Sequence, residues 1–217
     1  LKSNKMNIKS LFKVCLFALL FVSCKNDTKE QPNETVEVVK TDFSFNVEEF
    51  ADIKVLRYQI PGWDNLTLKE QKLVYYLTQA GLAGRDIMWD QNYRHNLKIR
   101  RALENVYVSY SGDKSTDTWK EFTIYLKRVW FSNGIHHHYS NDKIVPGFTK
   151  EGLAELFAAT KTELPAEVFD VIFNDKDTKK VNQAKGIDNV LASAVNFYGP
   201  DVTSDDVIDF YKNKKSP

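Results

Sequence analysis

Three of the chain's four histidines stand side by side at His136, His137 and His138, within Phe131-Ser-Asn-Gly-Ile-His-His-His-Tyr139. Imidazole can ligate a metal, move a proton or exchange hydrogen bonds near neutral pH. A zinc site on a helix needs His-Glu-x-x-His, so that two rings one turn apart reach one ion and the Glu acts as base. No histidine here is followed by Glu. The run follows a helical pattern and reads as a loop or extended segment. Neighbours there point to opposite sides, so at most His136 and His138 share one. Asp142 is the carboxylate that could join them. Three readings of the cluster stay open: a weak two-histidine metal site, structural hydrogen bonding, and ligand contact in a cleft by His136, His138 and Tyr139.

Other polar groupings carry less. Gly81-Leu-Ala-Gly84 matches no phosphate-loop or dinucleotide spacing and reads as close helix packing. Arg85, Asp86, Asp90 and Arg94 surround Trp89 and read as a salt-bridged surface or inter-helix network in preference to a catalytic dyad. The only cysteines are Cys15 and Cys24. Both fall at the N-terminal leader described below, so thiol catalysis and disulfides are excluded from the folded body. A formal charge of +1 removes the basic footprint that nucleic acid binding needs.

Helices must position these residues. Thr67-Leu-Lys-Glu70 is a capping-box pattern, and behind it Leu73, Val74, Leu77, Ala80 and Gly81 share a helical face. Leu97 to Tyr110 predicts a second helix. Trp119, Phe122, Leu126, Val129 and Trp130 predict an aromatic third, ended by Asn133-Gly134. Thr149 caps a fourth and Pro165 opens a fifth. Val190, Leu191, Ala194 and Val195 suggest a sixth, and Thr203-Ser-Asp-Asp206 caps a last one through Phe210 and Tyr211. Between Phe43 and Tyr58, alternating and β-branched residues predict one or two short strands. The expected class is mainly α with a few short strands near the N-terminus (α+β).

The N-terminal stretch has a different character. Met6 is the expected start, with residues 1–5 read through from upstream. Lys9 and Lys13 precede the apolar run Val14–Val22, a signal-peptide pattern too short to span a bilayer. It runs into Ser23-Cys24, which resembles a bacterial lipobox, although Phe21 stands where Leu is usual. Residues 1–24 are therefore expected to be a lipoprotein signal, with Cys24 acylated and the protein held at the cell envelope. Residues 25–42 are polar and read as a disordered tether reaching about 25 Å. Residues 43–217 form the folded portion.

Longer strings add a family. Phe50-Ala-Asp-Ile-Lys-Val-Leu-Arg-Tyr-Gln-Ile-Pro-Gly-Trp63, Leu73-Val-Tyr-Tyr-Leu-Thr-Gln-Ala-Gly-Leu-Ala-Gly-Arg-Asp86, Asp90-Gln-Asn92, Tyr125–Tyr139 and Lys143-Ile-Val-Pro146 resemble dipeptidyl peptidase III in its Bacteroidetes-type form. Asn196–Asp206 does so more loosely. The resemblance implies a two-lobed zinc aminopeptidase that removes dipeptides from the N-termini of oligopeptides. It implies zinc held by His-Glu-x-x-Gly-His and a later Glu, with the motif's Glu as general base. This chain contains neither, so no catalytic or metal residue carries over. The expectation is an N-terminal portion of such an enzyme, inactive alone. The alternative is a lipid-anchored, non-catalytic peptide-binding or scaffold domain.

Overall fold

A computed structural model describes residues 43–195, 197–212 and 214. The expectations for the leader, for Cys24 and for the tether lie outside the described residues. The elements below belong to one unit beginning at Ser44.

Strand β1 (Asn46–Phe50) pairs antiparallel with β2 (Ile53–Leu56), Phe50 opposite Ile53. The hairpin turns at Ala51-Asp52, where Ala51 takes φ 50°, a left-handed conformation that favours Gly or Asn. Helix α1 (Leu68–Ala83) starts at the expected box: Thr67 Oγ1 accepts from the Glu70 amide, and Glu70 accepts from the Thr67 amide at 2.8 Å. Helix α2 (Arg85–Asn92) follows after Gly84, then α3 (Asn96–Ser109) and α4 (Asp117–Ser132). The series ends with α5 (Lys150–Thr160), α6 (Ala166–Val171) and α7 (Ser204–Lys212). The mainly helical class with a short N-terminal hairpin is the one expected.

The core lies where α3, α4, α5 and α6 meet. Ile99, Leu103 and Val106 of α3 and Phe122, Leu126 and Val129 of α4 are fully buried. Leu153 of α5 and Val168 of α6 close the other side. Burial of such side chains contributes about 1.5–3 kcal/mol each. Trp119 stacks on Tyr110 at 4.7 Å, so the aromatic stripe is core.

One apolar face stands open, and one expectation is corrected. The Leu73, Val74, Leu77 face of α1 is exposed, and α1 buries no residue, because none of the described elements covers it. Residues 190–195 form turns, not a sixth helix. The Asp188 carboxylate accepts from the Val190 and Leu191 amides, as a helix N-cap does, and also from Ser204, while the Ala192 amide donates to the Asp188 carbonyl, so one turn starts but does not propagate. The Ala194 and Val195 amides then donate to the Lys179 and Lys180 carbonyls.

Candidate functional site

The histidine loop is built by the end of α4. Asn133 ends the helix at φ 50°, and Gly134 follows at φ 151°, which an L side chain rarely adopts. A Cβ at Gly134 would also stand 2.2 Å from Asn96 Nδ2. That close approach lets Asn96 Oδ1 accept from the Ile135 amide while its Nδ2 donates to the Trp89 carbonyl, both at 3.1 Å. The chain then doubles back. The Ile144 amide donates to the Ile135 carbonyl at 2.8 Å, and the His137 amide to the Asp142 carbonyl at 2.7 Å.

This turn separates the three histidines differently from simple alternation. His136 is buried at 2% exposure, its Nε2 2.9 Å from the Thr178 carbonyl and its ring edge-on to Tyr93. Burial, the leading cause, holds its pKa below the ordinary imidazole value. A neutral ring donating from Nε2 leaves Nδ1 bare, and Nδ1 has no partner among the described residues. His136 therefore sits in the core and is not part of the groove wall. His137 and His138 come together instead, ring centroids 4.5 Å apart, with Tyr139 4.2 Å from His138. His137 Nδ1 accepts from the Tyr139 and Ser140 amides at 3.2 and 3.1 Å, so the proton of its neutral form is on Nε2.

A groove runs between this loop, α4 and the hairpin tip. One stretch of about 480 Å³ is lined by Glu121, Tyr125 and Gly147 among others. An adjoining stretch of about 320 Å³ is lined by Phe131, His138 and Tyr139. The two share Arg128, His137 and Ile144. The hairpin is held to α4 by two ion pairs, Lys127 with Glu48 and Arg128 with Asp52, and by Lys127 lying 5.4 Å from the Phe50 ring. Glu121, Tyr125 and Arg128 recur at helical spacing along α4 and present one face to the groove.

No family model matches the chain, and no curated protein matches it.

Of the residues singled out from sequence, His138 and Tyr139 line the groove and His136 does not. Asp86 pairs with Arg100 at 2.8 Å and with Arg101, across α2 and α3, whereas Arg85, Asp90 and Arg94 form no ion pair among the described residues, so the network is not the four-residue one expected. The described residues do not fit a zinc site, since no three His, Cys, Asp or Glu side chains among them are grouped to hold a metal ion. His137 Nδ1 is moreover taken by backbone amides. Sequence reasoning missed Glu121, Tyr125, Arg128 and Gly147. The available signal was the spacing of Glu121, Tyr125 and Arg128, at i, i+4 and i+7, which puts them on one helical face.

Proposed function

We propose that this chain is the N-terminal portion of a zinc-dependent dipeptidyl aminopeptidase, anchored at the cell envelope through Cys24. In this reading the zinc and its ligands belong to residues this chain does not contain, and the groove along α4 forms part of the wall past which oligopeptides run. The observation that carries it is a coincidence of place. The string Tyr125–Tyr139, which most specifically resembles the peptidase family, is also the string that supplies Tyr125, Arg128, Phe131, His137, His138 and Tyr139 to the groove. The second long string, Leu73–Asp86, runs along α1 into the start of α2, and its apolar face on α1 is uncovered, as expected of a surface that packs against further protein.

The two-lobed peptidase fold is part of the same proposal. Reading the gene beyond Pro217 tests it: a downstream His-Glu-x-x-Gly-His is expected, and a stop codon without it refutes the reading. The chain by itself is expected to release no dipeptide with or without zinc, and zinc-dependent release by it would contradict that assignment.

The groove also favours a second reading, a lipid-anchored domain that binds peptides without cleaving them. Calorimetric titration of oligopeptides decides it, and absence of heat at millimolar peptide counts against it.

A further inference from the structure

The groove's charges are unevenly spent. Arg128 donates to Asp52. Lys143, at the groove floor, donates to the Val171 and Asn174 carbonyls and to Asp177 at 2.8, 2.7 and 2.8 Å. An ammonium has three protons, so none is left. Glu121 differs: its carboxylate has no hydrogen-bond or ion-pair partner among the described residues. It lies over Gly147, where an added Cβ would come 2.1 Å from Oε2. One turn along α4, Tyr125 is 1% exposed and lines the same groove, yet its hydroxyl is unpartnered. Buried hydroxyls without a partner are rare and call for an explanation. Ile144 and Val145 add an apolar wall, and Val145 is 81% exposed.

We propose that this part of the groove binds a primary alkylammonium group, with Glu121 as counter-ion, Tyr125 as a second acceptor and the apolar wall along the alkyl stem. A compact ammonium with rotatable donors suits one carboxylate oxygen and one phenolic oxygen. A guanidinium fork instead matches a carboxylate edge in one plane. The assignment stands apart from the peptidase reading, because its probes are not cleaved and its readout is binding.

The test is an NMR titration of the full chain with n-pentylammonium and with N-acetyl-lysine N-methylamide. Saturable binding is expected, weakened about tenfold or more by Glu121→Gln and about threefold by Tyr125→Phe. Gly147→Ala is expected to weaken it as well, by displacing the carboxylate. Superimposable thermal melts of the variants and the wild type exclude unfolding as the cause of the loss. Tighter binding of the lysine derivative assigns the site to a peptide side chain, and tighter binding of pentylammonium assigns it to a free amine; both uphold the proposal. It is overturned by no saturable binding to the wild type, by equal affinity in Glu121→Gln, by saturable binding of uncharged n-pentanol, or by tighter binding of n-pentylguanidinium.

Discussion

Lys143 sets a cation among two carbonyls and the Asp177 carboxylate, its side chain only 11% exposed. Asp177 also accepts from the Tyr93 hydroxyl at 2.8 Å, so one carboxylate joins the histidine loop, the segment after α6 and the α2–α3 junction. Replacing Lys143 by Met leaves that carboxylate without its counter-ion, and a loss of about 3–5 kcal/mol in urea unfolding is expected. Acidity probes the same network from two sides. Burial works to raise the Asp177 carboxyl, but hydrogen bonds from Lys143 and Tyr93 outweigh it and hold its pKa below the ordinary value. Its contribution is complete above the unfolded carboxyl's pKa of about 3.9 and is lost as pH falls through the lowered folded value. His136 acts at higher pH. Burial lowers its pKa, and the facing Lys143 and Lys180 add to this while Asp177 and the Thr178 carbonyl oppose it. The unfolded chain then takes up the proton first, below about pH 6.5. Stability should therefore fall on acidification from pH 6.5, by at most about 1.4 kcal/mol per pH unit for this one proton. His95 and His138 are shifted the same way, chiefly by burial. Comparing denaturation midpoints at pH 7.5 and 5.5 in the wild type and His136→Gln isolates its share. An unchanged slope in the variant would assign the effect to the other two.

The hairpin is the element on which the groove depends, and it contributes no residue to the buried core. Its attachment to α4 is two ion pairs and one ring contact. Asp52 is 75% exposed and Arg128 30% exposed, so the pair is worth about 1 kcal/mol or less. Arg128→Ala is thus expected to leave global unfolding nearly unchanged while speeding amide exchange at residues 53–56. Unaltered exchange there would mean that the hairpin is held by something other than this pair. The capped helices were legible because caps and periodicity are local signals. Thr67 and Thr149 each accept an amide three residues on, and Asn133-Gly134 forms the predicted stop. The groove was not legible, because it is made by approaches that leave no local trace. Gly147 meets Glu121 from 26 positions away in sequence, and Asn96 grips Ile135 from 39. Residues 190–195 show a distant competitor winning: Asp188 caps one turn, but the Ala194 and Val195 amides donate to the Lys179 and Lys180 carbonyls instead of continuing it.

For the molecule as a whole, α1 is the part whose sequence and setting disagree. Its composition asks for burial, yet Leu73, Tyr76 and Leu77 are 58%, 66% and 62% exposed. Charged side chains at these positions should cost the described body nothing, since no packing is removed. Leu73→Glu with Leu77→Glu is expected to change unfolding free energy by less than about 0.5 kcal/mol. The same double variant should abolish whatever association the uncovered face drives, read by sedimentation velocity across a concentration series. A clear loss of stability would instead mean that α1 folds back on the body in this chain. Unchanged stability with reduced association would make α1 a docking surface, which is the role the peptidase reading assigns to it. The pair of measurements thus separates a helix that belongs to this body from one that belongs to an interface.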